Sequence, residues 1–175
     1  KKIDFNIWVD FMGWFLSEGS SSKIHNSSVL IHQINERYKP DIRNCLNNLG
    51  FKYKEKKDRF IINNKQLNEY LKKFGNSHSK YVPQYIKEST TEQIIIFLTS
   101  LIKGDGSSSL IVKNKLSLIG KRGESGCYWS SSKKLIDDVQ ELFLKIGFSG
   151  KISIKNKKGD KFIAPSNKTY TFGDN

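Results

Sequence analysis

One phrase occurs twice in this chain. Phe11 to Ser22 reads FMGWFLSEGSSS, and Leu98 to Ser109 reads LTSLIKGDGSSS; both are apolar runs that close on an acid, a glycine and three serines. A chain that repeats itself is built from two related units, which constrains its fold more than any single motif does. The repeat continues past the phrase. DIRNCLNNLGF (Asp41 to Phe51) aligns with DVQELFLKIGF (Asp138 to Phe148), so that Asp41, Ile42, Leu46, Leu49, Gly50 and Phe51 meet Asp138, Val139, Phe143, Ile146, Gly147 and Phe148. The second copy carries about ten extra residues between these anchors, and the Gly- and charge-rich GKRGESG (Gly120 to Gly126) is where a longer turn belongs.

Each copy predicts the same order of elements: an α+β unit of two pseudo-symmetric αββαββ(α) halves. An apolar helix ends at Gly19 in one and Gly106 in the other. Two strands follow, over Ser20–His25 and Ser28–Gln33, and over Ser107–Val112 and Cys127–Ser130 with Lys115–Ile119 joining the second sheet. Helical spacing then predicts amphipathic helices over Pro40–Leu49 and Lys133–Ile146, each stopped by a glycine, Gly50 or Gly147. A second strand pair comes next. Lys52, Lys54 and Lys56 alternate with Phe51 and Tyr53 ahead of RFII, and KISIKNK (Lys151 to Lys157) reads as a half-buried strand with a basic outer face. A closing helix, Lys65–Phe74, ends the first half at residues 1–75. Residues 76–90 form a linker, and 91–175 form the second half, which stops at YTFGDN where its own closing helix is due.

Charge narrows the partner. Lysine and arginine outnumber acids 30 to 17, a formal net charge of +13, which favours a polyanion, with DNA or RNA first. Cys45 and Cys127 lack zinc spacing and read as small packed residues of a reducing compartment. No apolar run is long enough for a membrane span, and KKIDFNIWVD has no signal-peptide core. His25, His32 and His78 have no metal-ligand spacing, and Trp8, Trp14 and Trp129 read as core. GDGSSS lacks the alternating acids and the twelfth-position glutamate of an EF-hand loop.

Small residues recur four apart in both opening helices, Gly13 with Ser17 and Ser100 with Gly104, so one face of each helix can approach a partner closely. The two opening helices therefore pack on each other. Their acids then sit where stability alone would not put them. Glu18 and Asp105 lie at helix C-termini, against the dipole, and parallel packing brings like charges together. A divalent cation relieves both costs, and oxygen donors suit magnesium.

FMGWFLSEG and LTSLIKGDG resemble the two copies of the LAGLIDADG motif, including the acid at its eighth position and the glycine at its ninth. YWSSSKKLIDDVQELFLKIGFSGKI is similar to the second half of endonuclease domains found inside inteins, and KYVPQYI resembles the family's link between halves. The resemblance covers nearly the whole chain. It implies a saddle-shaped antiparallel sheet on DNA with the paired helices at the interface. It also implies a monomeric homing endonuclease, intein- or intron-derived, that cuts both strands of a long asymmetric duplex site with Mg²⁺ or Mn²⁺, wherever that DNA resides. Glu18 and Asp105 would hold the metal and catalyse, with carbonyls near Ser17 and Gly104 completing the coordination. The family's basic helper has no clean match: Asn63 stands near the first position and Gly173 near the second, so Lys54, Lys65 and Lys155 are the candidates. The DNA-facing candidates are Lys23, His25, His32, Lys54, Arg59, Lys113, Lys115, Lys155 and Lys157. Any one lysine among them is as readily a solvated surface group. The rival from another class is a non-cleaving DNA- or RNA-binding protein of the same fold, a maturase or regulator. That rival predicts a lost acid, and both acids are present.

Overall fold

The computed structural model describes residues 2–21, 28–107, 110–112, 115–116, 126–154, 161–163 and 169–171. In chain order the elements are α1 (Phe5–Glu18), β1 (Gly19–Ser21), β2 (Ser28–His32), α2 (Lys39–Leu49), β3 (Tyr53–Lys56), β4 (Arg59–Asn63), α3 (Lys65–Lys72), the short α4 (Gln84–Lys87), α5 (Thr91–Asp105), β5 (Ile111–Val112), β6 (Lys115–Leu116), α6 (Lys133–Lys145), β7 (Lys161–Ile163) and β8 (Thr169–Thr171).

Local chemistry explains where the helices start and stop. Asp4 caps α1, its carboxylate accepting from the Asn6 and Ile7 amides at 2.8 and 3.3 Å. Thr90 and Gln93 form a reciprocal capping box at the start of α5. Ser132 caps α6 by accepting from the Leu135 amide. Gly50 (φ 66°) and Gly147 (φ 88°) take the left-handed conformation past the ends of α2 and α6, as their positions in the repeat predict.

The first copy forms one antiparallel sheet in the order β1-β2-β4-β3. Its inner residues Val29, Ile31, Phe60 and Ile62 are fully buried. With Phe11, Met12, Phe15 and Leu16 of α1, and Phe97, Leu98 and Leu101 of α5, they belong to one continuous core. The fold is the α+β arrangement the repeat predicts, with the two opening helices paired at its centre.

The second copy departs from expectation. Cys127–Ser130 is not a strand; Tyr128 makes only an isolated bridge to Gly106. Residues 151–154 form no strand either, and Ile152 and Ile154 are 42% and 76% exposed. Alternation gives a segment a strand's period, but a strand also needs a partner to bond to. Here β5 pairs with β6 and β7 with β8, each a two-stranded ribbon. The rest of KISIKNK, Lys155 to Lys157, lies outside the described residues, as do Ser22 to His25 of the expected first strand. Two smaller corrections follow burial: Trp129 and Cys127 are exposed where packing was expected.

The linker is not a passive tether. It contains α4, and α6 holds it through several bonds. The Val82 amide donates to Asp138 at 2.8 Å, and the Lys87 ammonium bridges Asp138 and Glu141. Lys145 returns to the Lys87 carbonyl, and the Ser132 hydroxyl donates to the Lys80 carbonyl at 2.6 Å. Asp138 is buried, so the Val82 amide and the Lys87 ammonium, with Lys134 at 3.8 Å, are what make its charge tolerable there. The other partner in the repeat, Asp41, binds Lys103 of α5 at 2.7 Å.

Candidate functional site

The site begins with how closely α1 and α5 approach. A Cβ on Gly13 would lie 2.5 Å from the Phe97 carbonyl oxygen and 2.8 Å from Ser100 Cβ. A Cβ on Gly104 would overlap the Ser17 side chain and stand 3.0 Å from Glu18 Cγ. Each helix thus sets its glycine against the other's serine, as the four-residue spacing predicts. Beside this contact the half-buried Asp10 of α1 accepts a hydrogen bond from Ser100 of α5. Burial is the main influence on Asp10 and raises its pKa, while the Ser100 bond pulls the other way.

This contact delivers the two acids to the same place, one at each helix end. Burial first, and then the charge of Asp105, push Glu18 up to about 7, with Lys80 pulling it down. Burial also raises Asp105, against the same lysine. Both shifts mean that the ionised pair is held at a cost.

Lys80 is the cation already present. Its ammonium is buried and donates to the carbonyls of Phe15 (3.1 Å), Ser17 (3.4 Å) and Gly19 (2.8 Å), capping the exposed end of α1. Burial lowers it to about 8, with the two carboxylates opposing that shift. Sequence reasoning missed Lys80. It lies in a loop, where no periodicity marks it, and the available signal was indirect: it opens KYVPQYI, and two crowded acids need a nearby positive charge.

The donor set fits a hard divalent cation. Two carboxylates converge beside helix-terminal carbonyls, and their raised pKa values show charge that a cation would relieve. Among the described residues no third His, Cys, Asp or Glu gathers there, so further ligands would be carbonyl, phosphate or water oxygens. Ser17 and Gly104 are at the contact itself, and the Ser17 carbonyl is shared with Lys80.

The other candidates are spread over the outward face of the first sheet. His32 and Arg59 are directly opposed across β2 and β4, at the end of the sheet near Glu18. His32 lines a cleft of about 330 Å³ with Glu18, Gln33, Ile34 and Asp58. Burial, then Arg59, lowers the His32 pKa. Arg59 is paired with Asp58. Lys54 sits on the edge strand β3 opposite Ile61, at the opposite edge of the sheet from β1 with two strands between, and its unassigned neighbour Lys56 lies opposite Arg59 on the same face. Lys65 is exposed in the first turn of α3, beyond Asn63, at the far end of β4 from Arg59. The cation beside the acid pair is Lys80. Lys115 opens β6, while Lys23, His25, Lys113, Lys155, Lys157 and Gly173 lie outside the described residues.

Comparison with known proteins agrees with this geometry. Residues 92–169 match the family model described as a LAGLIDADG-like domain. The chain is 29% identical over 94% of its length to an ATP-dependent Clp protease proteolytic subunit of Chlamydomonas moewusii, of which it spans 16%. It is 28% identical over 91% of its length to the C-terminal section of the DNA-directed RNA polymerase subunit beta of Stigeoclonium helveticum, spanning 18% of it. A third match, 36% identical over 52% of the chain, covers 10% of the replicative DNA helicase DnaB of a Synechocystis strain. The chain therefore spans less than a fifth of each curated relative. Among solved structures, I-DmoI in complex with DNA and Mn superposes with a TM-score of 0.56 at 16% identity, covering 87% of this chain and 84% of that one. I-DmoI with DNA and Ca gives the same TM-score at 15% identity, covering 87% and 78%. Two acid-glycine motifs in register and a pair of glycine-packed helices carrying them thus accompany a segment, residues 92–169, that matches a LAGLIDADG-like domain, and the chain shares the fold of I-DmoI.

Proposed function

We propose that the chain is a site-specific, double-strand DNA endonuclease that uses Mg²⁺ or Mn²⁺ and acts as a monomer. The observation that carries this reading is the convergence of Glu18 and Asp105 at the touching ends of α1 and α5, both held above their ordinary pKa values. Glu18, Asp105 and the carbonyls near Ser17 and Gly104 would hold the cation, which when bound supplies charge stabilisation at the scissile phosphate. Lys80 holds the end of α1 in place and keeps the acid pair from repelling without limit. The outward sheet face, with His32, Lys54, Lys56 and Arg59, supplies the phosphate attraction that positions duplex DNA.

Several observations support the monomer and the halves. Both acids come from one chain, so no second copy is needed to complete the pair. Residues 1–75 and 91–175 are the two halves and 76–90 the link. The segment also recurs inside a protease subunit, a polymerase subunit and a helicase, whose named activities have nothing in common. That pattern supports an inserted element of intein type rather than a part of any host's chemistry.

The test is a cleavage selection from a randomised duplex library in Mg²⁺. Enrichment of one long, imperfectly palindromic site, cut on both strands by one protein per duplex in sedimentation, is the expected result. Binding weakens steeply with salt, because each neutralised phosphate releases counterions. Tight binding to one site with no cutting in Mg²⁺ or Mn²⁺ would instead select the non-cleaving maturase or regulator.

A further inference from the structure

The outward face of the β1-β2-β4-β3 sheet breaks its own alternation in one row. Directly opposed residues of antiparallel strands share a face, so the register lays side chains across the sheet in rows. The row nearest Glu18 is His32, Arg59 and Lys56. The farthest is Ser28 and Asn63, whose side chains are hydrogen-bonded at 2.8 Å. Between them runs Ser20, Leu30, Ile61 and Lys54. Both flanking rows are polar or charged. The middle row instead sets two branched aliphatics side by side at the centre of the face.

The core does not require them there. Val29, Ile31, Phe60 and Ile62 on the inner face are fully buried, whereas Leu30 and Ile61 are only half-buried. A strand face meant only for water or phosphate would carry polar residues at both positions. The pair is also ringed by the groups that would dock a duplex: Lys54 at the edge of its own row, Arg59 and Lys56 on one side, and the Ser28–Asn63 pair on the other. Duplex DNA offers one apolar group in its major groove, the 5-methyl of thymine.

Resting on the endonuclease reading, we propose that Leu30 and Ile61 are a specificity-determining pair that reads thymine through its 5-methyl group in the major groove. The row lies two residues, roughly 7 Å, from the row nearest Glu18, so the thymine it reads is close to the scissile phosphates and not at the end of the site. Lys54 fixes the backbone beside it, and Ser28 and Asn63 address the neighbouring base pair by hydrogen bonds.

The experiment starts from the duplex that the full chain selects by binding in Ca²⁺. Each thymine in turn is replaced by deoxyuridine, which removes one methyl group and nothing else. Affinity falls about fourfold at one or two thymines near the cleavage position, the equivalent of one buried methyl, and is unchanged at the others. Leu30→Ala and Ile61→Ala bind the thymine and uracil duplexes alike, at the level the unaltered protein shows for uracil. Uracil that is neutral at every position overturns the proposal, and so does a uracil penalty that persists in both variants. The first measurement uses the unaltered protein, so a variant that fails to fold leaves the result decisive. A chain that binds no duplex DNA overturns the endonuclease reading itself, and the pair's role with it.

Discussion

The end of α1 and the end of α5 carry the same phrase and do not have the same surroundings. At α1 the Phe15, Ser17 and Gly19 carbonyls all receive the buried Lys80 ammonium. The matching carbonyls of α5 belong to Ile102, Gly104 and Gly106. Ile102 accepts from the Gly106 amide just as Phe15 accepts from the Gly19 amide, but at α5 no ammonium of the described residues joins it: Asp105 accepts from the Trp129 amide, and the last-turn cation Lys103 is turned away to Asp41. Tyr128 lies beside Asp105 and is pushed up by burial and by that carboxylate. Lys80 is thus bonded to the helix end that carries Glu18, yet its charge acts on both acids, and on Asp105 more than on Glu18. A repeat can duplicate a motif, but the single linker that joins the copies falls on only one of them. The two acids are therefore related by sequence and distinct in chemistry.

The sharpest way to break this comparison is to remove each acid separately. Glu18→Gln and Asp105→Asn keep shape and hydrogen bonding and remove the charge that would hold a cation. Each abolishes double-strand cleavage while leaving DNA binding in Ca²⁺ nearly intact. Supercoiled plasmid carrying the selected site separates nicking from linearisation. If the ends differ as described, the two variants differ in residual nicking. If both cut at the unaltered rate, the acids are merely helix ends.

The next effect is on Lys80. Lys80→Met keeps the stem's length and removes the ammonium that the Phe15, Ser17 and Gly19 carbonyls share. We expect a loss of about 2–3 kcal/mol in urea unfolding, the scale of hydrogen bonds to a charged group in a buried setting. Lys103→Met on α5, which releases Asp41 of α2, costs less, because Asp41 is half-exposed and can be hydrated. Equal losses would mean that Lys80 is an ordinary surface-type ion and that the asymmetry between the two ends is small.

How much of this was legible beforehand follows from what kind of signal each residue leaves. Glu18 and Asp105 were visible because a repeat placed acids where a helix dipole opposes them. Gly13, Ser17, Ser100 and Gly104 were visible because four-residue spacing has one meaning on a helix. The sheet of the first copy was visible in SVLIH and RFIIN, where buried and outward residues alternate. KISI was misread because period alone does not supply a partner strand. Lys80 and the ties from α6 to the linker were invisible, because a loop residue's partner is fixed by the folded path and leaves no pattern in the local sequence. The Leu30–Ile61 row needed the register, which alternation within either strand cannot give.

A smaller effect tests the helix contact itself. Gly13→Ala drives a methyl against the Phe97 carbonyl and Ser100 Cβ, both close to the α5 backbone. Gly104→Ala meets the Ser17 side chain and Glu18 Cγ. Backbone yields less than side chain, so Gly13→Ala is the more destabilising of the two, each by about 1–3 kcal/mol. Adding Ser17→Gly recovers part of the Gly104→Ala loss and none of the Gly13→Ala loss. Additive double mutants in urea melts would mean that the residues do not touch as described.

The smallest effect is on pH dependence, and it isolates the acid that carries the higher charge cost. A carboxyl whose folded pKa lies above its unfolded one binds its proton more readily when folded. Folding is therefore favoured as pH falls, between the folded value and the ordinary carboxylate value. For Glu18 that window runs from about 7 down to the ordinary carboxylate value of 4.5, and Asp105, also raised, acts in the same direction. Lys80 has the opposite sense: lowered to about 8, it makes the fold gain stability as pH rises from 8 toward the ordinary lysine value of 10.5. The stability profile of the unaltered chain should thus rise on the acid side of neutrality and rise again above pH 8, with its low point between. Glu18→Gln removes the acid-side rise that Glu18 supplies and leaves the alkaline one. Glu18 is partly open to solvent, so the difference is a few degrees in melting temperature at most, about 2–4 °C per kcal/mol for a chain this long. Matched melts of the two proteins from pH 5 to pH 9 read it directly. If the difference between the melts is flat with pH, burial and Asp105 do not hold Glu18 near 7, and the end of α1 is as well solvated as an ordinary helix terminus.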